Sequence, residues 1–255
     1  MSPKVVVITG ASSGIGAALA RHLAGQGHRL VLAARRAPEL KAMAAELKGL
    51  AVVTDVCRRA DVDALAAAAL KAHGQVDVWV NNAGQGLTRS ALDLTDEDLD
   101  LMMSVNVKSA LYGMQAIAPH MMERGTGHLI NVSSFLARVP LAPYRSGYSA
   151  AKAALNSITA NVRMDLAQSH PKITVSVVMP GLVSTPFAQN AVGGPPQRLT
   201  DGVPSQTAQE VAAAIADLIE KPRAELITNP ALAAVGQRYV ADVEAFEAKM
   251  RTGAR

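Results

Sequence analysis

The chain has 255 residues and the composition of a globular protein, with 49% hydrophobic and 18% charged residues, 19 glycines and 13 prolines. A chain of this length can bury about 70–75% of its unfolded surface, and the composition excludes a disordered chain or a collagen-like repeat. The net charge of +4 comes from scattered basic residues, and there are only one Trp, four Tyr and three Phe to stack on bases. These features argue against a nucleic-acid partner.

The cysteine count, the histidine spacing and the lengths of the apolar runs exclude further classes of protein. The single cysteine, Cys57, excludes a disulfide framework and a multi-cysteine metal site. The six histidines show no i, i+4 pairing and no acidic clustering, so no metal site is predicted. No apolar run approaches the roughly 18 residues of a membrane span, and the first residues do not resemble a signal peptide. We therefore expect a cytoplasmic protein with no membrane partner.

Short apolar runs alternate with helical stretches along the chain. Strands are predicted at 5–8, 30–32, 50–53, 76–80, 128–132, 173–178 and 226–227. Helices are predicted at 15–24, 38–47, 64–72, 95–118 (one or two helices), 148–167, 207–220 and in the tail 231–255. This alternation predicts one α/β domain over 1–255, with a Rossmann-type, doubly wound parallel sheet of about seven strands and helices on both faces. Ligands of such folds bind beyond the carboxyl ends of the strands.

The turn after the first strand is rich in glycine. Its residues Gly10, Ser12, Ser13, Gly14, Ile15 and Gly16 lead directly into a helix. Glycines there let the backbone approach a phosphate, and a helix N-terminus offers free N–H groups. The same stretch also matches the G-x-S-x-G pattern of serine hydrolases, with Ser12 as nucleophile and His170 as the best available base. A hydrolase therefore stays open as an alternative, although its elbow normally follows a central strand.

The end of the second strand indicates which nucleotide is bound. An acid usually holds a ribose 2′-hydroxyl at this point, but here Arg35 and Arg36 follow the strand and the first acid is Glu39. A guanidinium suits a 2′-phosphate. The sequence therefore predicts a preference for NADP(H) over NAD(H).

Tyr148 and Lys152 are four residues apart, so they share one face of the predicted helix. An ammonium near a phenol favours the phenolate, so we expect Lys152 to lower the pKa of Tyr148 and make it usable as a general acid and base. The strand upstream ends in serine, and a hydroxyl at Ser134 could hold a substrate carbonyl oxygen beside the phenol.

Together these motifs resemble the short-chain dehydrogenase/reductase family over nearly the whole chain. The interval from Ser134 to Tyr148 is 14 residues, one longer than is usual, and Tyr144 in this loop is either a pocket wall or a packing residue. The resemblance implies Asn106, Ser134, Tyr148 and Lys152 as the catalytic set. It further implies cofactor contacts from Asp55, Val56, Asn82, Ala83, Gly84, Pro180, Gly181, Val183 and Thr185, in addition to the glycine turn, Arg35, Arg36, Tyr148 and Lys152.

The activity implied by the resemblance is hydride transfer between a nicotinamide and a carbonyl or secondary alcohol, with Tyr148 moving the proton. Lys152 would also hold the nicotinamide ribose, and Asn106 would hold a water of a proton relay. A catalytically silent nucleotide sensor on the same fold is the second alternative, although a sensor would not need the catalytic set. The Gly/Pro-rich segment 185–207 is predicted to be a substrate lid, with an apolar lining from Ala188, Val192 and Leu199, or a disordered surface loop. Family members commonly pair through two long helices, so a homodimer or homotetramer is expected.

Overall fold

The computed structural model describes residues 2–195 and 205–252. Seven parallel strands form one sheet in the order β3-β2-β1-β4-β5-β6-β9. The strands are β1 (Val5–Thr9), β2 (Arg29–Ala34), β3 (Leu50–Val53), β4 (Val78–Asn81), β5 (Gly127–Val132), β6 (Ile173–Met179) and β9 (Glu225–Ile227). Two short strands, β7 (Val183–Ser184) and β8 (Gln206–Thr207), pair with each other and were not predicted. The predicted doubly wound parallel sheet is confirmed.

Helices cover both faces of this sheet. They are α1 (Gly14–Gly25), α2 (Ala37–Leu47), α3 (Arg59–His73), α4 (Asp96–Met103), α5 (Ser109–Arg124), α6 (Ser146–Ser169), α7 (Ala208–Glu220), α8 (Pro230–Ala241) and α9 (Val243–Thr252). Helix α3 begins five residues before the predicted start, because its first turn is polar and apolar periodicity does not mark it. The predicted helical stretch 95–118 is α4 and α5 joined by a π-helical turn, Ser104–Lys108. None of the helices in the described ranges has the length and apolarity needed to cross a membrane.

Strand β1 shows why the apolar runs are continuous. Val6 and Ile8 pack into one core with α1, α2 and α7, whereas Val5 and Val7 pack into the other with α3, α5 and α6. Successive side chains of a strand point to opposite faces, so a strand covered on both sides must be apolar throughout. The chain places β2 and β3 on one side of β1 and β4 on the other, which puts the topological switch point between β1 and β4. Ligand crevices of open α/β sheets form at this point.

Candidate active site

A cavity of about 580 Å³ lies over the carboxyl ends of the strands, a size typical of small-molecule sites. It brings together residues that are far apart in the sequence, from the turns after β1, β2, β3, β4, β5 and β6 and from the start of α6. The predicted site residues that line it are Gly10, Ser12, Ser13, Gly14, Ile15, Arg35, Arg36, Asp55, Val56, Asn82, Ala83, Gly84, Ser134, Tyr148, Lys152, Pro180, Gly181, Val183 and Thr185.

The glycine turn is fixed to the neighbouring strand. Gly10 and Gly14 both have positive φ angles, +65° and +53°, a conformation that side chains disfavour. The Thr9 hydroxyl accepts hydrogen bonds from the backbone N–H groups of Asn82 (3.0 Å) and Ala83 (3.1 Å), and the Asn82 amide donates to the carbonyl of Thr9 (2.9 Å). These bonds explain why the turn after β1 and the turn after β4 form one rigid wall of the cavity.

Gly16 was predicted to contact the cofactor, but it does not line the cavity. A Cβ atom at this position would lie 2.4 Å from the carbonyl oxygen of Gly10 and 2.6 Å from the amide nitrogen of Asn82. Glycine is therefore required here because α1 packs closely on the turn, and its effect on the site is indirect.

The two arginines after β2 extend the glycine turn with positive charge. The guanidinium of Arg36 donates to the hydroxyl (3.1 Å) and the backbone carbonyl (3.3 Å) of Ser12. Its other nitrogen lies 3.6 Å from the Glu39 carboxylate. Arg35 lines the cavity beside it. An anionic group seated at this end of the cavity would therefore meet two guanidinium groups next to the turn.

The phenol of Tyr148 is buried, and this burial dominates its acidity. Burial raises the pKa of Tyr148 to about 12, while a hydrogen bond with Ser134 and the nearby charge of Arg145 act in the opposite direction. The prediction that Lys152 lowers the pKa of this phenol is therefore wrong for the structure. The free-energy cost of desolvating the phenolate is larger than the stabilisation that the Ser134 hydrogen bond and the Arg145 charge give it.

Lys152 is equally buried, with 3% of its surface exposed. Its ammonium nitrogen lies 5.8 Å from the centre of the Tyr148 ring and donates a hydrogen bond to the carbonyl of Val132 at 2.8 Å. Burial lowers the pKa of Lys152 to about 7. The amine is therefore present in both protonation states near neutral pH, within reach of the cavity that Tyr148 also lines.

Asn106 lies behind the cavity wall instead of in it. It belongs to the π-helical turn and is 1% exposed. Its amide donates to the carbonyls of Gln85 (3.0 Å) and Met102 (3.2 Å), and its oxygen accepts from the N–H of Gln85 (3.2 Å). A Cβ atom on Gly84 would lie 3.0 Å from the Asn106 oxygen and 3.5 Å from the Lys152 nitrogen. Asn106 and Lys152 therefore both lie close to Gly84.

The hydrolase alternative fails on topology. Ser12 follows β1 and lies at the carboxyl edge of the sheet, whereas His170 precedes β6 at the opposite edge. His170 ends the same helix that carries Lys152, 18 residues further along, a distance of about 27 Å along the axis. The two side chains cannot form a catalytic pair.

The segment 185–207 contributes to the cavity in its first part. Pro186, Phe187, Ala188 and Asn190 line the cavity. Val192 instead packs in the small apolar cluster that contains Tyr148, pairing with Leu87 through a single bridge. The predicted lining by Leu199 lies outside the described residues, as do the rest of 196–204.

Several residues of the cavity were not predicted from the sequence, and two of them lie beside the phenol of Tyr148. Arg145 and Phe187 both line it next to Tyr148, whose ring centre is 5.5 Å from that of Phe187. Arg145 is the N-cap residue of α6 and lies three residues before the start of the predicted helix 148–167, so the sequence pattern did not place it beside the phenol. No spacing signal marks Phe187, because its position depends on how the segment after β7 folds back over α6.

A Rossmann-type sheet with this glycine turn, and with a serine, a tyrosine and a lysine on the same cavity, defines an NAD(P)-dependent oxidoreductase. A family model described as short chain dehydrogenase matches residues 4–194. An uncharacterized oxidoreductase of Staphylococcus epidermidis is 34% identical over 221 residues, which are 86% of this chain and 92% of that protein. The chain belongs to the short-chain dehydrogenase/reductase family, as the motifs predicted.

Solved structures agree with this assignment. A short chain dehydrogenase/reductase from Burkholderia phymatum in complex with NAD is 29% identical, with a TM-score of 0.85 over 96% of this chain and 95% of the other. An alcohol dehydrogenase from the archaeon Thermococcus sibiricus, complexed with 5-hydroxy-NADP, is also 29% identical, with a TM-score of 0.77 over 89% of this chain and 96% of the other. Neighbours therefore include proteins with NAD and with an NADP derivative.

Proposed function

We propose that this protein is an NADP(H)-dependent oxidoreductase that interconverts a carbonyl and a secondary alcohol. The observation that carries the proposal is the meeting of Tyr148, Ser134 and Lys152 on the cavity that the glycine turn and Arg35 also line. One end of that cavity offers backbone and guanidinium groups to a nucleotide. The other offers a hydrogen-bonded phenol to a substrate. We further propose that residues 1–255 act as one dinucleotide-binding and catalytic unit.

The residues at the nucleotide end fit a dinucleotide phosphate. Gly14 lines the cavity and has no side chain, so a phosphate can approach its backbone closely. Arg35 and Arg36 would hold a 2′-phosphate, and Asp55 the adenine. Pro180, Gly181, Val183 and Thr185 would hold the nicotinamide amide. When bound, the nicotinamide supplies or accepts the hydride.

The protein's own residues would handle the proton and the orientation of the substrate. Because burial raises the pKa of Tyr148 to about 12, its phenol is protonated at neutral pH and is a proton donor towards a carbonyl oxygen that gains negative charge. Ser134 would hold the same oxygen in place through its hydroxyl. Lys152, whose pKa burial lowers to about 7, can release and regain a proton near neutral pH, and Asn106 would position a relay behind it.

The direct test is Tyr148→Phe, compared with Tyr112→Phe. Tyr112 is outside the cavity, where its ring packs under the guanidinium of Arg59. We expect Tyr148→Phe to keep the thermal shift caused by NADPH and to lose at least about 99% of turnover on a ketone panel, since general acid–base groups contribute about 10²–10⁴ in rate. Tyr112→Phe should keep both. Unchanged turnover in Tyr148→Phe refutes the assignment, and NADPH binding without any turnover in the wild type favours the sensor.

We also propose a homodimer or homotetramer that forms through α4, α5 and α6. Large apolar side chains are exposed on these helices: Leu99, Leu101, Met122 and Met164, of which Met164 is 66% exposed. Large apolar side chains left exposed on helices favour association, because association removes them from water. Light scattering of the wild type beside Met164→Glu tests the proposal, and a wild-type monomer would contradict it.

A further inference from the structure

Arg145 is a buried cation on the cavity next to the proposed proton donor. Only 6% of its surface is exposed, and it is the N-cap residue of α6, three positions before Tyr148. Arginine is rarely buried without a charged partner, because desolvating a guanidinium is costly. Burial accordingly lowers the pKa of Arg145.

The protein provides little compensation for this charge. One guanidinium nitrogen donates to the carbonyl of Leu87 at 3.3 Å, although a guanidinium has five N–H donors. Within residues 2–195 and 205–252, no aspartate or glutamate forms an ion pair with Arg145. The neighbouring arginines differ, since Arg89 pairs with Asp98 and Arg138 with Glu225.

The guanidinium lies on the same side of the site as Tyr148. Its Nη1 atom is 2.8 Å from where a Cβ atom on Gly86 would be, and the Phe187 ring edge is 3.1 Å from the same point. The Phe187 ring in turn packs on Tyr148, with 5.5 Å between ring centres. The charge of Arg145 also lowers the pKa of Tyr148, against the effect of burial. Arg145 and the phenol of Tyr148 therefore line the same part of the cavity.

The electrostatic balance of the cavity favours an anion there. Among the described residues that line it, Asp55 is the only acid, and it follows β3 at the nucleotide end. Lys152 and Arg145 are the cations at the other end. A carboxylate matches a guanidinium through two parallel hydrogen bonds, and it would supply the counter-charge that the protein itself does not.

We propose that Arg145 binds the carboxylate of the substrate, so that the enzyme acts on short oxo acids and the corresponding hydroxy acids. This inference rests on the proposed oxidoreductase function. Arg145 is the N-cap residue of α6 and Tyr148 lies in its first turn, so the carboxylate and the carbonyl must be close together in the substrate, as they are in 2-oxo and 3-oxo acids. In the reduction, the carbonyl carbon gains the hydride of NADPH and its oxygen gains the proton of Tyr148, which yields the hydroxy acid and NADP⁺. Arg145 takes no part in bond making.

The test compares two acids with their methyl esters: acetoacetate with methyl acetoacetate, and pyruvate with methyl pyruvate. NADPH absorbance gives kcat/KM for each substrate. We expect the wild type to prefer at least one acid over its ester. In Arg145→Gln the acid-to-ester ratio of kcat/KM should fall about a hundredfold, since truncating one partner of a buried charge pair is expensive. Arg145→Lys should recover part of the ratio through its point charge.

The matched control is Arg138→Gln, which removes one positive charge from the same loop but outside the cavity. Its acid-to-ester ratio should equal that of the wild type, which separates a specific contact from general electrostatic steering. Binding without turnover is measured with Tyr148→Phe, where acetoacetate added to the NADPH complex should raise the melting temperature. The added Arg145→Gln change should abolish that shift.

The outcomes separate this inference from the function on which it rests. If the wild type reduces the esters as well as the acids, or Arg145→Gln lowers both equally, the carboxylate contact is refuted and the oxidoreductase stands. If NADPH causes no thermal shift and no ketone is reduced, the proposed function itself fails. If Arg145→Gln does not fold, the wild-type acid-to-ester ratio and Arg145→Lys still test the carboxylate contact. A wild type that prefers neither acid over its ester contradicts the inference.

Discussion

Replacing Lys152 with methionine should stabilise the protein while removing its activity. The amine is fully enclosed, and burial lowers its pKa from 10.5 to about 7. Between these two pH values the unfolded chain binds a proton that the native protein has lost, so native stability rises with pH across this window. Below about pH 7 both states are protonated, and the native state bears the whole cost of the buried charge.

The size of the effect follows from the shift. At about 1.4 kcal/mol per pKa unit, the buried amine costs the native state about 4 kcal/mol at pH 7 and about 2 kcal/mol at pH 9. Methionine removes this cost but leaves the carbonyl of Val132 without its 2.8 Å donor, a loss of about 1–3 kcal/mol. Lys152→Met should therefore be more stable than the wild type by about 1–3 kcal/mol at pH 7, with that advantage reduced by about 2 kcal/mol at pH 9.

Urea unfolding of both proteins at pH 7 and pH 9 measures this difference. Other groups that titrate in this range are common to the two proteins, so their contributions cancel in the comparison. Lys172→Met is the control, because Lys172 is exposed and its replacement should leave the pH dependence unchanged. The reasoning is refuted if Lys152→Met follows the wild-type pH dependence, or if it is less stable than the wild type at pH 7.

Two further variants test the nucleotide end of the cavity. Gly16→Ala should lower the free energy of unfolding by about 1–3 kcal/mol in urea, because the new methyl group meets the Gly10 carbonyl at 2.4 Å. Gly25→Ala in the same helix has nothing within 4 Å and should not be destabilising. The pair Ala34→Asp and Arg35→Ser should move the NADPH-to-NADH ratio of kcat/KM at least about tenfold towards NADH, since an acid here accepts ribose hydroxyls. An unchanged ratio contradicts the 2′-phosphate role of the arginines.

The sheet could be predicted from the sequence because its strands are buried on both faces. The run Val5–Thr9 is buried at every residue, because the strand packs against one hydrophobic core on each face of the sheet. The first residues of helices were harder to predict. Helix α3 begins with the polar residues that follow Arg58, and its hydrophobic periodicity begins later. The strands β7 and β8 have two residues each, too few to carry a periodic signal.

The site was predictable in its membership but not in its electrostatics. Residues that follow strands must gather at the carboxyl edge of a parallel sheet, which placed Ser134 there. Tyr148 was predicted from its spacing to Lys152 together with the family resemblance. The pKa of Tyr148 depends instead on how completely the surrounding chain excludes water, which no local pattern records. Arg145 was missed for a related reason: its significance comes from burial without an acidic partner among the described residues, and that is a property of packing.

Desolvation is the common cause behind the three titratable groups at the substrate end. It raises the pKa of Tyr148 and lowers the pKa of Lys152 and of Arg145, so each group is pushed towards its neutral form. Such a site is destabilising for the empty protein, and it gains most from ligands that carry compensating charge. A carboxylate beside Arg145 would restore the preference of that guanidinium for its charged form. Lys152→Met therefore measures what burying one cation costs the fold, and Arg145→Gln measures what a second buried cation contributes to binding an anion; both effects have the same origin in desolvation.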